Sequence, residues 1–312
     1  MNETLLTVDG RPMLRIERRL AHPPEKVWRA VTEPAELSQW FPATVEMELE
    51  VGAKVSFDMG DGEGPSVDGT IVELDRPRVF AFTWVDDLLR WELRPHDDGC
   101  LLVFTHTFDD RFGAASFASG WRQCLDALDL VVAGQPVRHE RPSAELHDSL
   151  VTAFGLDEGT VEATPDGWRL RFERQLTQPA ESVWKLLVSD EADALAVGGA
   201  VPAGFTVADV RPGAVTAVER PTMLEYSWYV DGDDAPADTT GPSGAAGPVG
   251  VAEPSDVAGT VRWELTTGTG HGARLILSQT GSDGAAAARS RALAAWRSRI
   301  DRLAAQLRGM AD

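Results

Sequence analysis

One histidine on an aromatic strand is the residue best suited by type and spacing to do chemistry. In the run LLVFTHTF at 101–108 a two-residue period puts Phe104, His106 and Phe108 on one face and Val103, Thr105 and Thr107 on the other. His106 is the polar group of that face. It suits a hydrogen bond to a ligand carbonyl or hydroxyl, or general acid–base work near neutral pH. It suits equally a structural role, because no partner that would orient it is visible in the sequence. A second strand sets Phe80, Phe82 and Trp84 against Ala81 and Thr83. With Phe57, Trp91 and Trp121, these aromatics can wall a mostly apolar pocket. Taken singly, each also reads as ordinary core.

Other constellations carry less. Cys100 and Cys124 are the two cysteines and lack a CxxC partner, so neither a disulfide framework nor a cysteine-rich metal site can be built. Cys124 falls on the apolar face of a helix and reads as a buried, inert thiol. His139 and His147 do not have the spacing of a zinc motif. Asp61-Gly62-Glu63-Gly64 lacks the carboxylate ladder of a calcium loop and reads as a hairpin turn. Gly268, Gly270 and Gly272 around His271 do not open a helix after a strand, as a phosphate-binding loop would. With no GxSxG, Cys–His or Walker pattern, nucleophilic catalysis has no visible candidate. No metal and no cofactor is expected.

The elements that must hold these residues begin at 15–41, RIERRLAHPPEKVWRAVTEPAELSQWF. An alternating strand is stopped by Pro23-Pro24, and Pro24 suits the first turn of a helix. Val27, Trp28 and Val31 give that helix its apolar stripe. Pro34 ends it before a second short helix that reaches Trp40-Phe41. Strands follow at 45–49, 54–57, 70–74, 79–85, 89–94 and 100–108, with a Gly/Asp/Pro-rich hairpin tip at 59–69 and a turn at 95–99. Then Trp121, Cys124, Leu125, Leu128, Val131 and Val132 recur at helical spacing until Gly134, with Pro136 beyond. A sheet with one apolar face needs a cover, and this helix is the sizeable candidate. The class is α+β: a curved antiparallel sheet wrapped around a long C-terminal helix.

The order then recurs. FERQLTQPAESVW at 172–184 repeats IERRLAHPPEKVW at 16–28, and PTMLEYSW at 221–228 echoes PRVFAFTW at 77–84. Trp263-Glu264-Leu265 matches Trp91-Glu92-Leu93, and Trp296, Ile300, Leu303 and Leu307 match the Trp121 helix. Landmarks matched in the same order indicate a tandem duplication. The first domain is placed at 1–136, a connector with a helix at about 142–154 at 137–167, and the second domain at 168–312. In the second copy 205–210 is expected to turn at 211–213 into 214–219. An insert at 231–256, poor in large apolar residues, reads as a mobile loop. Trp40-Phe41 has no counterpart there beyond Leu195-Ala196-Val197 nearby, and Gln279 stands in the place of His106. The second copy is therefore expected to be degenerate.

The chain has 312 residues, 43% of them hydrophobic and 25% charged, which is core material for two ordinary domains. Its formal charge of −20 disfavours nucleic acid and anionic membrane surfaces as partners. No apolar run is long enough for a membrane span, and Met1-Asn2-Glu3-Thr4 lacks a secretory start, so the cytoplasm is the default expectation. Composition leaves the oligomeric state open.

Both halves resemble the helix-grip family that includes Bet v 1, the START lipid-binding domains and polyketide cyclases, and within it the branch named after the Hsp90 ATPase activator homologue. In the first half the likeness rests on HPPEKVWRAVTEPAELSQWF, on 77–84, on LLVFTHTF and on Gly120-Trp121. The resemblance implies a cavity between sheet and long helix that often holds an apolar small molecule. It does not fix an activity. The leading expectation is a non-enzymatic binding protein for a hydrophobic or aromatic ligand, contacted by Trp40, Phe41, Phe57, Phe82, Trp84, Trp91, Phe104, His106, Phe108 and Trp121. Trp40-Phe41 is expected at the cavity mouth. One alternative is a polyketide cyclase or aromatase with His106 as acid–base. Another is a co-chaperone-like module with a protein partner.

Overall fold

The computed structural model describes residues 2–60, 67–137, 143–189, 195–230, 257–270 and 272–310. Most of the expected hairpin tip at 59–69, the whole insert at 231–256, His139 and His271 lie outside the described residues. The chain divides into two compact units between Phe154 and Gly155. Each is a helix-grip domain of the α+β class.

The first unit runs β1 (Asn2–Val8), β2 (Arg11–Leu20), α1 (Pro24–Thr32), α2 (Pro34–Leu37), β3 (Thr44–Met47), β4 (Lys54–Asp58), β5 (Val67–Asp75), β6 (Val79–Trp84), β7 (Asp87–His96), β8 (Gly99–Thr107), α3 (Ala114–Val132) and α4 (Ala144–Ala153). Its eight strands pair antiparallel in the order β1-β2-β8-β7-β6-β5-β4-β3. Strand β1 went unread in the sequence although a turn signal announces it. Asp9 and Gly10, with φ of 50° and 82°, make the two-residue turn that joins Val8 to Arg11. Helix α3 covers the apolar face, with the Trp121 ring 4.5 Å from Phe104 on β8. Gly134, at φ 69°, closes α3 as the glycine just beyond a helix end does. Helix α4, expected within a connector, packs on α3.

The second unit runs β9 (Thr160–Thr164), β10 (Gly167–Gln175), α5 (Ala180–Val188), β11 (Arg211–Glu219), β12 (Met223–Tyr229), β13 (Val257–Thr267), β14 (Ala273–Gly281) and α6 (Ala286–Arg308). Its six strands are ordered β11-β12-β13-β14-β10-β9. Strand β9 extends the repeat into the region expected to be connector. The turn expected at 211–213 is instead the start of β11, and the preceding segment contributes a 3-10 turn at Ala203–Phe205 and a single bridge between Val207 and Val210. A kink after Pro212, where the register with β12 shifts, reconciles Pro and Gly with a strand.

The duplication extends to ties that spacing alone could not reveal. Arg18 on β2 pairs with Asp126 on α3 at 2.5 Å, and Arg174 on β10 pairs with Asp301 at the matching place on α6. Each ties the strand next to the sheet edge to the long helix.

Candidate functional site

In the first unit a cavity of about 520 Å³ opens at one end of the space between α3 and the sheet. Four elements line it. The β6–β7 turn gives Trp84, Val85, Asp86 and Asp87; the end of β8 and the segment after it give His106, Phe108, Asp109 and Asp110; α3 gives Ser116, Phe117, Gly120, Trp121 and Cys124; Pro42 closes one side. The walls are mainly apolar, and the size falls in the range of about 300–1,000 Å³ usual for small-molecule sites.

Four residues expected at a pocket are therefore there: Trp84, His106, Phe108 and Trp121. The other six are not. Trp40, Phe41, Phe57, Phe82, Trp91 and Phe104 are each at most 4% exposed and pack as one cluster. Trp91 lies 5.0 Å from Phe82 and 5.1 Å from Phe104, and Phe41 lies 5.8 Å from Phe57. The expectation that Trp40-Phe41 gates the mouth is corrected. Exposing such rings costs roughly 1.5–3 kcal/mol each, which opposes opening. The Trp40 indole would also lose the bond it donates to the Ala30 carbonyl at 2.9 Å. Phe41 and Phe57 do reach the pocket indirectly, by supporting Trp84 from behind at 5.2 and 5.5 Å.

His106 has the orienting partners that the sequence hid. The Trp121 indole N–H donates to Nδ1 at 3.1 Å, and Asp87 Oδ2 lies 2.9 Å from Nε2. An indole N–H only donates, so Nδ1 must accept, and Nε2–H therefore donates to Asp87. Both ring nitrogens are committed, and His106 is 2% exposed. A substrate could use this imidazole as acid or base only by displacing one of those partners.

A second histidine cluster also escaped the sequence reading. Ser116 Oγ on α3 is 3.2 Å from His147 Nε2 on α4, with Asp148 at 3.5 Å from Nδ1. The separation of 31 positions between Ser116 and His147 concealed it. His147 is 5% exposed, and the contact serves as a polar tie between the two packed helices. Cys124, at the cavity wall, has its thiol pushed up to about 12 by burial, and Cys100 to about 11 for the same reason. Thiolate is the nucleophile, so neither cysteine should alkylate at pH 8 in the folded protein. Stoichiometric labelling by iodoacetamide without denaturant would contradict this. Among the described residues, no group of three or more His, Cys, Asp or Glu is placed to hold a metal ion, and no helix is long and apolar enough to cross a membrane.

The second unit keeps half of the His106 arrangement. Trp296 donates to Gln279 Oε1 at 2.7 Å, the counterpart of Trp121 donating to His106. The register then puts Gly259 where Asp87 would stand, since Gln279 pairs with Val261 as His106 pairs with Leu89. A side chain there would collide with the Thr280 carbonyl, 2.0 Å from an added Cβ. The Gln279 amide nitrogen is left buried without a hydrogen-bond partner among the described residues. Phe108 is matched by Gly281, and the indole of Trp168 occupies the space over it, 6.0 Å from Trp228. Trp168 is 2% exposed. Phe205 packs on Trp184 and Trp263, the counterparts of Trp28 and Trp91, at 5.4 and 5.6 Å.

Residues 21–133 match the family described as Activator of Hsp90 ATPase homolog 1-like protein. The matched stretch lies within the first unit, which is thus similar to that family. Two solved structures similar to it are a conserved protein of unknown function, EF2215 from Enterococcus faecalis, and CalU16 from Micromonospora echinospora. The first is 22% identical, with a TM-score of 0.41, covering 48% of this chain and 89% of its own. The second is 22% identical, with a TM-score of 0.41, covering 49% of this chain and 95% of its own. None of the curated proteins compared matches.

Proposed function

We propose that the first unit is a binding domain for a small, largely apolar or aromatic molecule, and that the second unit has lost this capacity and serves as scaffold. The cavity walled by Trp84, Phe108, Phe117 and Trp121 carries the reading. Stacked and edge-on rings offer a flat apolar ligand contact area on several sides. The commitment of both His106 nitrogens weighs against the cyclase alternative, which needs an available acid or base. Trp168 filling the matching space supports the scaffold role of the second unit. A protein-interaction module is the second reading, and the family's description, naming an activator of Hsp90 ATPase, is what favours it.

Native mass spectrometry of protein purified from its source tests the binding reading. A small molecule retained by the full chain and lost on denaturation is expected; unliganded protein that co-purifies with a stoichiometric protein partner would favour the second reading.

Gly120 offers a way to close the pocket. It lines the cavity from the middle of α3, and an added Cβ would meet nothing within 4 Å. Gly120→Ala should stabilise the unit by about 0.5–1 kcal/mol, the usual gain for replacing glycine within a helix. A thermal melt that falls would show that this space is not open.

A further inference from the structure

We propose that the occupant of the first-unit pocket is a cation, an apolar or aromatic group bearing a protonated amine or guanidine; this rests on the reading that the pocket holds a small molecule. The lining combines two features that together select positive charge. Four carboxylates stand around it, Asp86 and Asp87 at the β6–β7 turn and Asp109 and Asp110 beyond β8, while no lysine or arginine lines it among the described residues. Antiparallel pairing brings the two Asp-Asp pairs together, because Leu88 lies opposite Thr107.

Part of this charge is offset by partners. Arg11 Nε reaches Asp109 at 2.7 Å, and its Nη2 donates to the Asp86 carbonyl oxygen at 3.0 Å, not to the Asp86 carboxylate, which has no ion pair among the described residues. Asp87 gives Oδ2 to His106, and its Oδ1 has no donor among the described residues. With Nδ1 occupied by an indole N–H, His106 offers Asp87 a single N–H donor at Nε2. Carboxylates at the rim of an apolar cleft focus the field into it.

The walls favour the same ligand. Trp84, Phe108, Phe117 and Trp121 present ring faces and edges, and the face of an aromatic ring attracts a cation within about 6 Å. A neutral ligand would use the walls alone. An anion would be repelled by the carboxylates. An amine joined to an aromatic body uses both features at once.

Three probes of one shape separate these cases: 1-naphthylmethylamine, 1-naphthylmethanol and 1-naphthoate, titrated calorimetrically into the full chain at low ionic strength. The amine should bind about tenfold or more tighter than the alcohol, and the naphthoate weakest. The advantage of the amine should shrink as salt rises. Asp86→Asn should reduce that advantage to about threefold or less. Asp86 is exposed at a turn, so the fold should tolerate the change; Asp110→Asn serves as the second variant. Glu48→Gln, an exposed position outside the lining, should alter nothing and controls for the general acidity of the chain.

Equal binding of amine and alcohol, or an advantage that survives both Asp variants or falls equally in Glu48→Gln, would overturn the cation inference while leaving the pocket reading intact. Absence of binding by all three probes would overturn both.

Discussion

Trp91→Ala is expected to destabilise the first unit by about 3–5 kcal/mol, the usual cost of deleting a large buried aromatic ring. Its indole is 1% exposed and touches Trp40, Phe80, Phe82, Phe104 and Trp121, so the void has walls on every side that cannot all collapse. Such a loss is a large part of the roughly 5–15 kcal/mol that a domain holds in reserve. Trp91→Phe should cost far less, about 1–2 kcal/mol. The buried Trp91 Nε1 has no hydrogen-bond partner among the described residues, so removing that donor offsets part of the lost packing. Urea unfolding with hydrogen exchange resolved over first-unit peptides checks both variants. Equal losses for Ala and Phe would mean that the ring is not packed as described.

His106→Ala should cost about 2–4 kcal/mol, since it removes the acceptor of the buried Trp121 N–H and the donor to Asp87 together. The second unit suggests the milder change. Gln279 takes the Trp296 N–H through its amide oxygen, so His106→Gln should keep an acceptor for Trp121 and lose about 1 kcal/mol or less. The same urea measurement reads the difference. Should His106→Gln lose as much as His106→Ala, the Trp121 bond would not be what His106 supplies.

The duplication and the helix-grip class were legible because they rest on repeated periodicities. The face of α3 that carries Trp121, Leu125 and Leu128 follows from helical spacing, and all three are buried. The face of β8 follows from alternation, with Phe104, His106 and Phe108 all buried. The division between core and pocket was not legible. Alternation says which residues face inward, but Phe104 and Phe108 lie on the same face of one strand, and only the position of α3 determines that one is covered and the other borders a cavity. Aspartates 86, 87, 109 and 110 were overlooked for the same reason. Two Asp-Asp pairs are unremarkable in a chain of this charge until strand pairing brings them to one rim. Compensation between segments was hidden as well. Trp168 takes the space over Gly281, the counterpart of Phe108, from the neighbouring strand. Trp168 over Gly281 is the feature of the second copy on which our scaffold proposal rests.

Fluorescence titration of the full chain with N-phenyl-1-naphthylamine, an uncharged aromatic probe near neutral pH, against the same titration of Gly120→Phe, tests the binding site most directly. The wild-type chain should show one saturable site, and Gly120→Phe should abolish it with the melting temperature maintained, because the new ring fills the cavity that Gly120 lines. Saturable binding that persists undiminished in Gly120→Phe, or its absence from the wild-type chain, would contradict a ligand pocket beside α3.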